Sequence, residues 1–281
     1  LQRVKGMFGA AKAGHTGSLD PLATGVLPLC FGQATKFSRF LLDADKAYRV
    51  RAKLGVKTAS GDLDGEVVRT SVVQGITSEK LELALHRFRG EIAQIPSMYS
   101  ALKHKGQPLY KLARQGIEVE RKTRTIEIYE LELTHFEADE FELFVKCSKG
   151  TYIRTLVEDI AEAMGSCAHV ISLRRVQVGP YTESHMISLD NLAESLESGG
   201  HRVVDKLLLP LGSSVQGWPE LLLSESTEFY LRNGQPTQVP KAPLDGWVRL
   251  SDANGEFIGV GEMLDDGRVA PRRLVNQDPV R

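Results

Sequence analysis

Two segments in which apolar and polar side chains alternate restrict the fold of this chain most. In residues 46–56, KAYRVRAKLGV, every second side chain from Tyr48 to Val56 is apolar, and three of the side chains between them are basic. Residues 141–148, FELFVKCS, repeat the alternation. Such a pattern buries one face of a strand and leaves the other in solvent. The sequence therefore predicts two half-buried strands, with a third at 125–135 that pairs with the second in a hairpin or meander.

The strand at 141–148 leads into a predicted helix. KGT at 149–151 interrupts the alternation, and apolar residues then recur on one helical face at Ile153, Leu156, Val157, Ile160 and Met164. Another helix is predicted at 78–89 with Ser78 as its N-cap. Interleaved strands and helices indicate a mixed α/β (α+β) chain built on a central sheet.

The end of the chain has a different character. Residues 198–220 contain SGG, two prolines and GSS, which is typical of a boundary region. Beyond it, WVRL at 247–250 and FIGVGEM at 257–263 flank an Asn-Gly turn. We therefore predict a large domain at 1–212 and a small β-rich C-terminal domain at 220–281.

Composition excludes several classes of protein. The 281 residues are 42% hydrophobic and 25% charged, and no apolar run reaches the ~20 residues that a transmembrane helix needs. Three cysteines without metal-type spacing argue against a disulfide framework or zinc site, and favour reduced thiols in a cytoplasmic protein. The net charge of −1 gives no support to a nucleic-acid partner, so such a case depends on local patches.

Asp20 and Arg154 are the first candidate site residues. Asp20 lies in the glycine-flanked loop GHTGSLDPLATG, where an Asp before Pro is also a common turn cap. Arg154 falls in the first turn of a helix, where a positive charge interacts unfavourably with the helix dipole. We predict that the two side chains lie within ion-pair distance, and we expect the cation to lower the pKa of Asp20 by roughly 1–3 units. A solvent-exposed arginine is the alternative.

A basic segment at 103–124 is the third candidate. It carries seven cations against two glutamates, with tyrosines in or beside it, as suits an RNA backbone and unstacked bases. A solvated face is the alternative interpretation. Asp62-x-Asp64 has the start of a calcium loop, but Gly65 comes too early and the later ligands are missing, so we interpret this segment as a turn.

Taken together, these segments resemble the TruB family of tRNA pseudouridine synthases, which isomerise uridine 55 in the T-loop of tRNA. Five matching stretches occur in the family's order: GHTGSLDPLATGVLPLCFGQATK (14–36), DKAYRV (45–50), IPSMYSALKHKGQPLYKLARQG (95–116), CSKGTYIRTL (147–156) and HVISLRR (169–175). The resemblance implies a mixed α/β catalytic domain with an RNA-binding insertion at about 95–125, and a PUA-like C-terminal domain. It also implies that a family strand with a Lys-Pro-x-Gly motif precedes residue 1.

The resemblance assigns roles to individual residues. It implies that Asp20 is the catalytic carboxylate, that Tyr48 contacts the target base and transfers a proton, and that Arg154 lies in the catalytic pocket. The substrate-binding residues that it implies are His15, Tyr48, Tyr152 and Leu173. The cations expected on the RNA backbone are Lys105, Lys111, Arg114 and Lys122.

The implied reaction needs neither a cofactor nor a metal, since an N–C glycosidic bond is broken and remade as C–C without net redox change. The target base must be flipped out of the folded tRNA, and Tyr48 and Leu173 suit stacking against it. Asp20 has three possible first steps: attack at C1′, attack at C6, or removal of a sugar proton. The predicted enzyme is a monomer that binds the T-arm. A non-catalytic tRNA-binding or tRNA-folding protein is the main alternative, and a hydrolase built on Asp20 ranks below it.

Overall fold

The computed structural model describes residues 1–276, which form two compact units. The sheet unit comprises Leu19–Val26 and Ala44–Val178. The terminal unit comprises Leu1–Ser18, Leu27–Asp43 and the described residues from Gly179 onwards. The domain boundaries proposed from sequence, 1–212 and 220–281, stay a prediction.

Strands and short helices are interspersed along the described chain. The strands are β1 (Ala13–His15), β2 (Thr24–Gly25), β3 (Leu29–Phe31), β4 (Lys46–Leu54), β5 (Val56–Thr58), β6 (Val67–Thr70), β7 (Gly90–Gln94), β8 (Lys103–His104), β9 (Gln107–Pro108), β10 (Arg124–Glu137), β11 (Glu140–Cys147), β12 (Ala168–Val178), β13 (Tyr181–Thr182), β14 (Glu220–Leu222), β15 (Trp247–Ser251), β16 (Phe257–Met263) and β17 (Val269–Leu274). The α-helices are α1 (Gln2–Met7), α2 (Ser38–Leu42), α3 (Ser78–Leu85), α4 (Leu109–Ala113), α5 (Ile153–Ala163), α6 (Leu189–Gly199), α7 (His201–Val204) and α8 (Glu225–Arg232). Short 3-10 turns lie at Gly32–Lys36, His86–Phe88, Glu183–His185, Asp205–Leu207 and Leu211–Val215.

The sheet unit is built on a mixed sheet with the strand order β12-β4-β11-β10-β7. These neighbours are antiparallel, and the short β2 lies parallel to β12. On β11 the alternation predicted from sequence is confirmed, since Phe141, Leu143, Val145 and Cys147 are fully buried. Each such side chain contributes roughly 1.5–3 kcal/mol when it leaves water. The predicted hairpin is confirmed as well, because β10 and β11 pair up to Glu137 and Glu140.

One strand ends earlier than predicted. The alternation suggested that the first strand continues to Val56, but β4 ends at Leu54. Gly55 has φ +84°, and a Cβ there would lie 2.7 Å from the Val73 Cγ2 atom. The glycine therefore turns the chain, and Val56 begins β5 instead.

Helices α3 and α5 pack against the core of the sheet unit. The predicted apolar face of α5 is confirmed, with Ile153, Leu156, Val157 and Ile160 buried in the same hydrophobic cluster as β4 and β11. The proposed N-cap of α3 was wrong by one residue. Thr77 is in extended conformation and its side chain accepts from the Lys80 amide, so Ser78 is already helical.

The terminal unit contains the predicted β-rich C-terminal domain. Strands β14 to β17 form a four-stranded sheet in sequence order, with β14 parallel to β15 and the other pairs antiparallel. Its core includes Leu231 of α8 together with Val248, Leu250 and Val269 of the strands. Asn254 and Gly255 lie in the turn between β15 and β16, as the sequence predicts.

Candidate active site

Asp20 lies in a short loop of the sheet unit that is anchored on β12. The Ala23 amide donates to the Asp20 carbonyl at 2.9 Å, and Gly25 pairs with Arg175. Gly25 has φ +102°, and a Cβ there would lie 2.1 Å from the Arg175 carbonyl oxygen. Only glycine fits this approach. The loop thereby holds the Asp20 side chain one third exposed, at 33%.

Arg154 meets Asp20 across 134 residues of sequence. Its Nε lies 2.9 Å from Asp20 Oδ2 and its Nη2 lies 3.0 Å from Asp20 Oδ1, so the guanidinium binds the carboxylate at two points. Such two-point pairing is the strong form of an arginine–carboxylate interaction. The predicted ion pair is confirmed. The alternative, a solvent-exposed Arg154, is wrong because its side chain is only 6% exposed.

A second carboxylate, Asp62, completes the surroundings of the guanidinium. Arg154 Nη1 lies 3.3 Å from Asp62 Oδ2, and the Asp62 side chain is 4% exposed. Ser60 donates its hydroxyl to Asp62, and the Asp64 amide donates to the same oxygen at 3.2 Å. Sequence reasoning interpreted this segment as a turn and missed the carboxylate. The available signal was the run of small turn residues around Asp62, because such residues let a tight turn supply hydrogen bonds to a buried carboxylate.

Two backbone carbonyls take the remaining donors of Arg154. Nη1 donates to the Ser60 carbonyl at 2.7 Å and Nη2 to the Tyr99 carbonyl at 2.9 Å. Gly61 between Ser60 and Asp62 allows a close approach, because a Cβ there would lie 3.3 Å from Arg154 Cβ and 2.7 Å from Glu158 Oε1. The guanidinium is therefore held on several sides and cannot rotate without breaking these hydrogen bonds.

The electrostatic balance at Asp20 differs from the expectation. Burial raises the pKa of the Asp20 carboxyl above its ordinary value of 3.8, and the nearby Asp62 raises it further, while Arg154 and Arg175 lower it. The expected net lowering was wrong in direction, because the loss of hydration at this site outweighs the attraction of the arginines.

Tyr48 and Leu173 lie on adjacent strands of the sheet. Tyr48 is 9% exposed on β4 and Leu173 is 5% exposed on β12, and both belong to the main hydrophobic cluster. Leu22 and Ala23 of the Asp20 loop pack against the same cluster. Burial raises the pKa of the Tyr48 phenol to about 12, with Cys147 and Asp20 acting in the same direction and Arg175 opposing them.

Tyr152 forms the N-cap of α5, two residues before Arg154. The Gln94 side chain, 2% exposed, clamps its backbone: the Tyr152 amide donates to Gln94 Oε1 at 2.8 Å, and Gln94 Nε2 donates to the Tyr152 carbonyl at 3.1 Å. The turn before α5 is thereby attached to the end of β7. Sequence reasoning did not find Gln94, because a glutamine at the end of a strand has no distinctive pattern.

His15 lies in the terminal unit, at the end of β1, which pairs with β3. Its side chain is exposed. The following Thr16 is buried and donates its amide to the Pro28 carbonyl at 3.3 Å. The role that sequence reasoning gave to His15 stays a prediction.

The basic segment forms a small substructure with its own core. Leu109 and Leu112 of α4, which follows the β8–β9 hairpin, pack with Met98. The predicted backbone-binding cations Lys105, Lys111, Arg114 and Lys122 are all exposed. Lys105 stands at the hairpin turn with φ +47°, and the Arg114 guanidinium lies over the Tyr110 ring at 5.7 Å. Arg121 instead has a structural contact, donating to the Pro96 carbonyl at 3.2 Å.

Other kinds of site are not evident among residues 1–276. The described residues hold no cluster of three or more His, Cys, Asp or Glu side chains suited to a metal ion. Cys30, Cys147 and Cys167 are buried and form no disulfide. In the described part of the chain, the helices are too short or too polar to cross a bilayer.

Comparison with known proteins places this geometry in a family. Three family models match in succession: the TruB family pseudouridylate synthase N-terminal domain over residues 5–153, a tRNA pseudouridylate synthase B C-terminal domain over 154–216, and a pseudouridine synthase II TruB C-terminal domain over 219–275.

Curated relatives and solved structures agree with these matches. The tRNA pseudouridine synthase B of Coxiella burnetii is 57% identical over 99% of this chain and 90% of its own length. The protein of that name from Stutzerimonas stutzeri is 54% identical over 99% of this chain and 91% of its own length. A chain from the crystal structure of a Cbf5-Nop10-Gar1 complex is similar in fold, with a TM-score of 0.74, 25% identity, and coverage of 96% of this chain and 78% of that one.

Proposed function

The chain belongs to the TruB family of pseudouridylate synthases, and we propose that it converts uridine 55 in the T-loop of tRNA to pseudouridine, with Asp20 as the catalytic carboxylate. The observation that carries the proposal is the arrangement around Arg154. The partly exposed Asp20 carboxylate forms two contacts with the buried Arg154 guanidinium, which also pairs with Asp62. Asp20 can thus meet a ligand while its position stays fixed.

Each of the three possible first steps needs an ionised Asp20. Attack at C1′, attack at C6 and removal of a sugar proton all use the carboxylate as a nucleophile or base. Arg154 favours the ionised form of Asp20 and orients it. Burial opposes ionisation, and a less hydrated carboxylate is a stronger nucleophile and base. Arg154 thus orients Asp20 before the reaction begins, and burial makes the carboxylate more reactive.

Tyr48 and Leu173 supply the walls for a flipped base. An aromatic ring and a branched apolar side chain offer stacking surface for a uracil that has left the RNA stack. The raised pKa of Tyr48 means that its phenol is protonated at neutral pH. In this proposal Tyr48 contacts the base, and its oxygen accepts the C5 proton while its own O–H proton passes to water. Tyr152 lines the pocket, and His15 contacts the tRNA near the extruded nucleotide.

The exposed cations of the insertion suit the RNA backbone. Lys105, Lys111, Arg114 and Lys122 lie on a small folded element beyond β7, so their charges are displayed without being used in the core. Contacts of this kind position RNA without reading its sequence. We propose that they bind T-arm phosphates, and that the enzyme acts as a monomer in the cytoplasm, where its substrate is found.

The experiment that tests this function is a direct assay for pseudouridine at position 55 of an unmodified tRNA transcript. Asp20→Asn is nearly isosteric and should abolish turnover, with tRNA affinity within about threefold of wild type. Asp64→Asn is the matched control, since Asp64 is exposed in the loop that carries Asp62 and should keep full activity. A wild-type protein that binds tRNA tightly but forms no pseudouridine would favour the non-catalytic tRNA-binding alternative.

A further inference from the structure

Arg175 is a buried cation, 2% exposed, to which the family resemblance assigned no role. On β12 it lies directly opposite Tyr48 on the antiparallel β4. Directly opposed side chains project from the same face of a sheet, with Cβ atoms about 5 Å apart. Arg175 lowers the pKa of the Tyr48 phenol through its charge and as a hydrogen-bond partner, so the guanidinium lies within reach of the phenol oxygen. Since a guanidinium has no acceptor, Arg175 donates and the Tyr48 oxygen accepts.

The same arginine holds the loop that carries Asp20. Arg175 Nε donates to the Val26 carbonyl at 2.7 Å, and the Val26 amide donates back to the Arg175 carbonyl at 2.7 Å. Gly25 lies against the Arg175 backbone so closely that no side chain fits. The Asp20 loop is thus bound at Asp20 by Arg154, through the carboxylate, and at Val26 by Arg175.

This double attachment has a consequence for the phenol. When its oxygen accepts from Arg175, the single O–H of Tyr48 is left to donate in another direction, away from the guanidinium. The charged or titratable groups that face Tyr48 are Cys147, Arg175 and Asp20. Those that face Asp20 are Arg154, Asp62 and Arg175. Arg175 is therefore the cation that the two proposed reacting groups share.

We propose that Arg175 is a positioning residue that holds the Tyr48 hydroxyl and the Asp20 loop in one fixed arrangement. It thereby orients the phenol so that its oxygen can accept the C5 proton of the flipped base while its own proton passes to water. The inference rests on the proposed function and adds a residue to it. It differs from a purely structural role in one respect, because the rate of the chemical step, and not only folding or tRNA binding, depends on the guanidinium.

Two variants separate geometry from charge. Arg175→Met keeps the apolar stem but loses charge and donors, while Arg175→Lys keeps the charge but cannot serve both the Val26 carbonyl and Tyr48. Single-turnover rates at position 55, tRNA dissociation constants and thermal unfolding are measured for both. Arg174→Met is the matched control, since the neighbouring Arg174 contacts the same loop through Thr24 Oγ1 at 3.3 Å on the exposed side.

Both Arg175 variants should lose at least about tenfold in single-turnover rate, with tRNA affinity within about threefold of wild type, as for a lost preorganised donor. The acid limb of the pH–rate profile should move to higher pH in Arg175→Met, since a cation that lowers the pKa of Asp20 is gone, and stay in place in Arg175→Lys. A rate within about twofold of wild type in Arg175→Met overturns the inference, and so does loss of folded protein in both variants. An inactive wild-type enzyme would instead reject the proposed function itself.

Discussion

Two regions of the sheet unit use cations in opposite ways. Around Asp20, Arg154 and Arg175 are buried, and the donors of Arg154 are shared among two carboxylates and two backbone carbonyls. In the insertion, Lys105, Lys111 and Lys122 are exposed and project from a small element with its own apolar core. The first region fixes geometry, whereas the second displays charge.

The number of cations in an RNA-modifying enzyme does not show what each of them does. The chain has 35 basic and 36 acidic residues, so its formal net charge says nothing about a polyanionic substrate. Burial decides what each cation does. A buried guanidinium is matched by nearby carboxylates, while an exposed ammonium remains available for phosphate.

Disturbing the buried region should have the largest effect. Arg154→Lys keeps one charge but loses the two-point contact with Asp20 and leaves Asp62 poorly matched. We expect turnover to fall by about 10²–10³-fold, and the free energy of unfolding to fall by up to ~3–5 kcal/mol, as for a broken buried pair. Steady-state kinetics and urea denaturation measure the two effects. Arg87→Lys, an exposed site on the same unit, should change neither, and equal losses in both variants would contradict the comparison.

Removing charge from the insertion should act on binding instead. A variant with Lys105, Lys111, Arg114 and Lys122 changed to Ala should bind tRNA about 10–100-fold more weakly and still modify the same uridine. The slope of log affinity against log salt should become shallower by roughly 0.7–0.9 for each phosphate that is no longer neutralised. Filter binding across a salt series measures the slope. Lys80→Ala/Arg87→Ala removes exposed charge elsewhere and should leave the slope unchanged; an unchanged slope in the insertion variant would mean a merely solvated face.

The pH–rate profile sharpens the electrostatic part of the comparison. Because burial raises the pKa of Asp20 above 3.8, kcat/KM should fall about tenfold per pH unit below that raised value, as the carboxylate takes up a proton. Asp62 raises the same pKa, so Asp62→Asn should move the acid limb to lower pH. A limb that stays in place, or moves upward, would show that Asp62 does not act on Asp20 through its charge.

The smallest effect is expected at the clamp on α5. Gln94→Met removes both hydrogen bonds to the Tyr152 backbone and leaves two partly buried backbone groups without these partners, which costs about 1–3 kcal/mol of stability. Turnover should fall only a few-fold, because Arg154 keeps its hydrogen bonds and ion pairs. Thermal unfolding and kinetics are compared with Gln74→Met, an exposed glutamine that should change neither. A loss of turnover as large as that of Arg154→Lys would place Gln94 closer to the chemistry.

Much of this architecture could be predicted from local patterns. The alternation in β4 and β11, the apolar face of α5 and the C-terminal strands were confirmed because each depends on residues close together in sequence. The family resemblance was confirmed because several separate motifs agree in order. The errors in secondary structure were local too: the glycine after Leu54 ended a strand early, and Thr77 capped a helix in place of its neighbour.

Local sequence patterns were enough to predict most strands and helices, the family of the chain and the pairing of Asp20 with Arg154. Three features emerge only from the packed chain: Asp62 and Arg175 join the pair, Gln94 binds the Tyr152 backbone, and burial outweighs the arginines in setting the pKa of Asp20. The reason is the separation in sequence over which each effect acts. Periodicity and turn chemistry act over a few residues, whereas burial and ion pairing depend on distances that exist only after segments far apart in sequence have packed together.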